Sequence, residues 1–265
     1  MASYTHGHHE SVLRSHLWRT VDNSAAYLTP HLEPGMSLLD VGCGPGNLTV
    51  DLARLVAPGR VVGIDNVDSI VQRAVRDAPE DSDNVEFIVD DVYDMGFADG
   101  TFDVIHAHQV LQHVDDPVAA LREMRRVGKP GGIVAVRDAD YSAMAWHPAD
   151  ERLDRWLALY HAIARGNGAE PDAGRYLLRW AGGAGFVDIE PSASVWRFDR
   201  PSDRSWWGSL WADRIRDSAL ADQAIEHGLA SRSDLDEIAT AWLEWAAHQD
   251  AWFTVNHGEV IAKVP

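Results

Sequence analysis

Three glycines within five residues, Gly42, Gly44 and Gly46, separate the apolar run Leu38-Leu39-Asp40-Val41 from a helical pattern of Leu48, Leu52 and Leu55. Glycine tolerates left-handed backbone and lets the main chain approach a ligand where a Cβ would clash. A strand that passes through such a loop directly into a helix is the opening of a nucleotide-binding βαβ unit, and it commits the surrounding chain to an α/β architecture. Pro58-Gly59 stops the helix, and a second apolar run over 60–65 ends in Gly63-Ile64-Asp65. Asp65 lies about 20 residues beyond the loop, where such units carry the acid that grips ribose hydroxyls. Asn47 takes the place of the third glycine in Gly-x-Gly-x-x-Gly, leaving Gly-x-Gly-x-Gly, a spacing that favours a ligand without a pyrophosphate.

The alternation continues. Short apolar runs at 37–41, 60–65, 85–89, 102–106 and 133–136 read as buried parallel strands, with Ile70 and Ala74, then Leu121 and Met124, marking helices between them. Right-handed crossovers then give an open sheet covered on both faces, with its ligand site beyond the carboxyl ends of the strands. Upstream, Leu13, Leu17, Val21 and Tyr27 recur at near-helical intervals. Downstream, 150–165 and 175–184 read as helices, the second closed by Gly185, and 186–190 starts a strand. About 50 residues of helical character follow, containing Trp206, Trp207, Trp211, Trp242 and Trp245. The chain ends in 251–263, which is β-rich on both sides of the turn signal Asn256-His257-Gly258.

A chain of 265 residues suits one domain with an embellishment. Its 41 acidic and 23 basic side chains give a formal charge of −18, and Lys129 and Lys263 are the only lysines. Without a basic cluster, binding to nucleic acid or to an anionic membrane is disfavoured. Cys43 is the only cysteine, which excludes an intrachain disulfide, a zinc ribbon and a redox pair and fits a reducing compartment. Residues 1–14 lack the apolar core of a signal peptide, and no segment reaches the roughly 18 apolar residues of a membrane span, so the cytoplasm is the expected location. His6, His8 and His9 have no accompanying carboxylate or cysteine spacing, and no metal site is expected.

Residues 38–136 resemble the class I S-adenosylmethionine-dependent methyltransferases, particularly the ubiquinone/menaquinone-biosynthesis-like branch. The resemblance rests on Asp40-Val41-Gly42-Cys43-Gly44-Pro45-Gly46, on Asp65, on Asp90-Asp91-Val92 in place of Gly-Asp-Ala, on Thr101 to His113, and on Arg126-Val127-Gly128-Lys129-Pro130-Gly131-Gly132 before the fifth strand. It implies an α/β fold: a Rossmann-like, seven-stranded, mostly parallel sheet with helices on both faces, an N-terminal helical segment, and a helical lid inserted between the last strands. The corresponding division is 1–35 over the cofactor site, 36–198 as the cofactor-binding domain with a helical insertion near 146–168, 199–250 as the Trp-rich lid, and 251–265 as the antiparallel last strand.

By the same resemblance S-adenosyl-L-methionine is the cofactor. Asp40, Gly42, Cys43, Gly44, Asn47 and Leu48 are expected around its methionine portion, Asp65, Asn66 and Val67 at its ribose, and Asp91 and Val92 at its adenine. His106, Ala107, His108 and Gln109 are expected to border the sulfonium, and Tyr4, His8, Arg19 or Tyr27 to fold over the carboxylate end. The chemistry agrees: ionised Asp65 and Asp91 are acceptor-only partners for hydroxyl and amino donors, and Asp40 suits a cationic amine.

Methyl transfer is an in-line displacement, so orientation and exclusion of water supply much of the catalysis, and a base is needed only if the acceptor must lose a proton. His113, His108, Asp138 and Tyr141 are the candidates for orienting or deprotonating an acceptor. Each has a plainer reading: His113 as a capping or packing residue opening the helix after strand four, Asp138 and Tyr141 as loop residues just past strand five. His106 and His108 alternate, which predicts that at most one faces the ligand. Trp146, Trp156, Trp206, Trp207, Trp211, Trp242 and Trp245 either line an aromatic pocket or pack helices together. The sequence thus points to a methyltransferase acting on a small organic molecule with an apolar or aromatic body. A nicotinamide-dependent oxidoreductase and a non-catalytic S-adenosylmethionine-binding protein are the alternatives. The acceptor and the methylated atom are not legible, and a homodimer is left open.

Overall fold

A computed structural model describes residues 10–265 of the chain, so Tyr4, His6, His8 and His9 lie outside the described residues. Helix α1 (Glu10–Leu17) leads through a capped turn at Thr20 to the first strand. The alternating part comprises β1 (Leu38–Val41), α2 (Asn47–Val56), β2 (Val61–Asp65), α3 (Asp68–Asp77), β3 (Val85–Val89), β4 (Phe102–His108), α4 (Pro117–Val127) and β5 (Gly128–His147). Then come α5 (Glu151–Gly166), α6 (Leu177–Gly183) and β6 (Ile189–Phe198). Three helices, α7 (Pro201–Asp217), α8 (Ala219–Glu226) and α9 (Arg232–Ala247), are inserted before β7 (Trp252–Lys263).

The seven strands form one sheet in the order β3-β2-β1-β4-β5-β7-β6. The β1, β2, β3, β4 and β5 pairings are parallel, and β7 runs antiparallel between β5 and β6. Strand periodicity sorts the side chains. Leu39, Val41, Val62, Ile64, Ile105 and Val136 meet α4 and α6 on one face. Leu38, Val61, Val104 and Ala135 meet α2 on the other, where α3 packs beside α2 through Val71, Ala74 and Phe87. The chain reverses its direction of growth between β1 and β4, and there the strand ends leave a crevice. Among the described residues no helix is long and apolar enough to cross a membrane.

The sheet departs from the sequence reading in its second half. Strand β5 is 20 residues long, so Asp138 and Tyr141 lie within it and not in a loop past its end. Strand β7 runs unbroken through Asn256-His257-Gly258, with no turn there. His113 does not open a helix: it ends a short 3-10 turn (Leu111–His113), and α4 starts at Pro117, capped by the Asp116 carboxylate accepting the Ala119 N–H at 2.9 Å.

The insertion and α5 bury an aromatic core of their own against β5, β6 and β7. Trp156, Trp211 and Trp242 meet in it at centroid separations of 4.6 to 5.9 Å, and Phe253 packs on Trp242 at 5.3 Å.

Candidate functional site

A cleft of about 1060 Å³, including its open mouth, lies over the carboxyl ends of β1, β2, β3 and β4. Its floor is the glycine loop. Gly42 has φ +67° and no room for a side chain, since a Cβ would come within 2.5 Å of Val110 Cγ2. Gly44 has φ +55°, and a Cβ there would approach His16, another residue of the cleft wall, to 3.3 Å. The main chain is therefore bared to the cleft at two points where a Cβ would intrude.

Asp65 ends β2 at the cleft wall, followed by Asn66 and Val67. Its carboxylate accepts the N–H groups of Gly44 (3.2 Å) and Val67 (3.1 Å), which fix its orientation and tie it to the glycine loop. Asp90 and Val92 close the cleft after β3, and Gln109 and Val110 after β4. Gln109 has φ +55° and is, among the described residues, the only non-glycine residue with a positive φ. A strained backbone at a strand end is a common mark of a working site. Gln109 also ties the site together: its Oε1 accepts from Arg19 Nη2 at 2.5 Å, and its Nε2 lies 2.9 Å from His257 Nε2.

Of the sequence-predicted residues, the cleft gathers Gly42, Gly44, Asp65, Asn66, Val67, Val92, His108 and His113. Asp40, Cys43, Asn47 and Leu48 line a small adjoining crevice that shares Gly42, Gly44, His16, Arg19 and His108 with the cleft. Asp40 does not reach the cleft: it is buried, accepts from Thr49 Oγ1 at 2.6 Å and contacts His106 Nδ1 at 2.7 Å. Burial, with the charges of Asp40 and Asp65, pushes the Cys43 thiol well above its usual range, so it stays protonated. Asn47 spends its amide on the protein itself, donating to the carbonyls of His16 and Arg19 and docking α1 onto the loop.

Four of the expected residues lie outside the cleft lining. Asp91 is exposed and accepts the Tyr93 N–H at 3.0 Å, while the carboxylate on the cleft wall is that of Asp90. Tyr27 packs beside α2, and its hydroxyl is buried with no hydrogen-bond partner among the described residues, away from the cleft. Ala107 is buried in the opposite sheet face. His106 is fully buried in the sheet. It and His108, two residues apart, point to the same face, contrary to the expected alternation, but only His108, nearer the strand end, reaches the cleft.

Beneath α7 the cleft narrows into a small chamber of about 30 Å³, which shares His16, Arg19, Gln109 and His113 with it. Tyr141, Trp196, Trp207, Trp211 and Arg214 are among its walls. The other tryptophans suspected of lining a pocket do not: Trp156, Trp242 and Trp245 are core, and Trp146 and Trp206 pack against that core. Asp138 lies one shell behind the chamber, its Oδ1 accepting the Gln112 N–H at 3.1 Å, while Gln112 Nε2 contacts His113 Nε2 at 2.9 Å.

Burial at this end of the site penalises charge of either sign. Burial, aided by Arg19, pushes His113 down to about 3. Burial, with Arg19 and Arg137, also pushes His108 well below its usual range, and burial with Arg137 does the same to His257. All three are neutral imidazoles at neutral pH. Burial raises the Asp138 carboxyl to about 7. Arg137, itself buried, pairs with Glu259 at 3.1 Å and lies 3.5 Å from His108 Nδ1. Sequence reasoning placed Gln109 at the site and missed Gln112, Trp196 and Arg214, because no local motif distinguishes them from packing residues. Among the described residues no group of three or more His, Cys, Asp or Glu is arranged to hold a metal.

Residues 32–182 match a family described as a methyltransferase domain. An uncharacterized methyltransferase of Schizosaccharomyces pombe is 32% identical over 98% of this chain and 96% of its own length. The 2-methyl-6-phytyl-1,4-hydroquinone methyltransferase of Synechocystis is 30% identical over 78% of this chain and 63% of its own. Among solved structures, the fold resembles phosphoethanolamine N-methyltransferase 2 of Haemonchus contortus in complex with phosphomonomethylethanolamine and S-adenosylhomocysteine. That likeness has a TM-score of 0.56 at 21% identity and covers 91% of this chain and 52% of that one.

Proposed function

The chain belongs to the methyltransferase domain family, and from that premise we propose that it is an S-adenosylmethionine-dependent methyltransferase acting on a small organic molecule with an aromatic or apolar body. The observation that carries the reading is the Gly42–Gly44 floor with Asp65 held against it by two backbone N–H groups. When bound, S-adenosylmethionine supplies a methyl group on a cationic sulfur that an electron-rich atom displaces.

The protein's own residues divide the remaining work. Asp65 accepts from the ribose hydroxyls, Ile70 and Val92 give apolar walls to the adenine, and the bared loop amides receive the methionine portion. Arg19, at the junction of cleft, crevice and chamber, suits the methionine carboxylate. His113 and Gln109, at the mouth of the chamber, orient the acceptor. Neutral His113 and His108 are weak bases at these depressed values, so these side chains orient and exclude water more than they take up protons. In this division 36–198 binds the cofactor and 199–250 covers the acceptor. The Synechocystis relative, a hydroquinone methyltransferase, is in keeping with an aromatic acceptor. A single buried cysteine suits a reducing compartment, and the cytoplasm is the proposed location.

Thermal shift with S-adenosylmethionine, S-adenosylhomocysteine and NAD, beside Asp65→Ala, tests the assignment. A ligand at about 100 times its Kd adds roughly 2.7 kcal/mol of stability. The two adenosyl sulfur compounds are expected to stabilise the protein, and Asp65→Ala to weaken both by about 1.5–3 kcal/mol. Stabilisation by NAD alone, or equal affinity in the variant, would overturn it.

A further inference from the structure

Gln109 stands between two residues from opposite ends of the chain, Arg19 just after α1 and His257 in β7, and the direction of each hydrogen bond it makes is fixed by its partner. A guanidinium only donates, so the amide oxygen of Gln109 faces Arg19, with Oε1 2.5 Å from Nη2. The amide nitrogen then faces His257 Nε2, at 2.9 Å, as a donor. His257 demands the same arrangement from its other side. Its Nδ1 lies 3.1 Å from the Val255 carbonyl oxygen, which only accepts, so Nδ1 carries the ring proton and Nε2 the lone pair. Burial, with the charge of Arg137, keeps the ring neutral. Donation therefore runs in one direction, from Arg19 to Gln109, from Gln109 to His257, and from His257 to the Val255 carbonyl.

The far end of this chain is rigid and the near end is at the site. His257 is 1% exposed, with its ring centroid 4.4 Å from that of Trp196, and it lines neither the cleft nor the crevice. The Gln109 N–H donates to the Arg137 carbonyl at 2.7 Å, which pins the backbone at its φ of +55°. Arg19 lines cleft, crevice and chamber together, and Asn47 of the glycine loop holds its carbonyl. An arginine side chain has many rotamers, and a hydrogen bond from a fixed strand end selects among them before a ligand arrives.

We propose that His257 is a positioning residue for the cofactor: acting through Gln109, it holds the Arg19 guanidinium where it receives the methionine carboxylate. This rests on the assignment of Arg19 to that carboxylate. The last strand of the sheet thus helps to build the cofactor site without touching the cofactor.

Calorimetric titration with S-adenosylhomocysteine and with methylthioadenosine, which keeps the nucleoside and the sulfur but lacks the amino-acid end, tests the proposal. His257→Leu removes the acceptor, and is expected to weaken S-adenosylhomocysteine about five- to tenfold while methylthioadenosine stays within about twofold. A general loosening of the fold would weaken both. His257→Gln, whose side-chain carbonyl takes the place of the Nε2 lone pair, is expected to keep most of the affinity. Arg19→Gln is expected to show the same selective loss, and adding His257→Leu to it to cost nothing further. Equal weakening of the two ligands, a loss in His257→Gln as large as in His257→Leu, or an additive loss in the double variant would overturn the proposal. If His257→Leu folds poorly, His257→Asn, too short to reach Gln109, carries the same expectation. Unchanged affinity for S-adenosylhomocysteine in Arg19→Gln would instead remove the carboxylate assignment and this inference with it. Binding of neither ligand to the unaltered protein would remove the cofactor itself, so the failures are distinguishable.

Discussion

At Gly42 a left-handed backbone and a gap too small for a methyl coincide, with φ +67° and Val110 Cγ2 2.5 Å from where a Cβ would stand. Gly42→Ala therefore costs about 1–2 kcal/mol for the left-handed conformation alone and also displaces Val110 from the cleft wall. Urea denaturation should register the first effect and a titration with S-adenosylhomocysteine the second; wild-type behaviour in both would refute the geometry. Arg137 and Glu259 make a different residue-scale case, a buried ion pair completed by Ser192 and Ser194, whose hydroxyls donate to Glu259. Removing one member strands the other charge, so Glu259→Ala is expected to destabilise the fold by about 3–5 kcal/mol, measured by the same denaturation. The two sites also mark what a sequence discloses. The glycine loop and Asp65 were legible because the backbone requirement and the acid recur at a fixed local spacing. The Arg137–Glu259 pair was not, because its partners are brought together by the antiparallel register of β5 and β7.

At the scale of elements, the central parallel strands β1, β2 and β4 were readable because both faces of each are buried, leaving near-continuous apolar runs such as Val61 to Ile64. The reading stopped β5 at Val136 because Arg137, Asp138 and Asp140 interrupt its run, yet each is buried with a partner: Glu259, the Gln112 N–H and Arg175. Tertiary pairing lets a strand continue through charge. In β7, Gly258 looked like part of a turn, but a Cβ there would meet the Gly174 carbonyl oxygen at 2.0 Å, so close backbone approach is what it serves. The tryptophans were legible as a group and illegible one by one, since helical spacing does not say which faces a cavity. Trp156 is fully buried between α5, α7 and α9 in contact with Trp211, Trp242 and Phe253. Trp156→Ala is expected to lower stability by about 3–5 kcal/mol. If the insertion and the nucleotide cleft are separately supported, affinity for S-adenosylhomocysteine should stay within about threefold at temperatures where the variant remains folded; a parallel loss of both would show that the aromatic core also holds the cleft.

For the whole molecule, the buried titratable groups set how stability follows pH. His108, His113 and His257 all have depressed values in the folded protein, so between the unfolded value near 6.5 and the folded value, about 3 for His113, the unfolded chain binds protons that the folded one refuses. Their stabilisation is complete above about pH 6.5 and is lost progressively on acidification. Asp138 acts in the opposite direction: raised to about 7, it keeps its proton in the fold while the unfolded carboxyl releases it from about pH 4 upward, so it costs stability as pH rises through that window. Each group contributes at most about 1.4 kcal/mol per pH unit, and three against one makes acid the destabilising direction. Urea denaturation should show the fold losing about 1–3 kcal/mol between pH 7.5 and 5.5. His257→Asn, which removes one of the three, should flatten that fall, and Asp138→Asn, which removes the opposing group, should steepen it. Stability that rises toward pH 5.5, or a slope that neither variant alters, would mean that these side chains meet water in the folded protein and that the chamber end of the site is open where the structure has it closed.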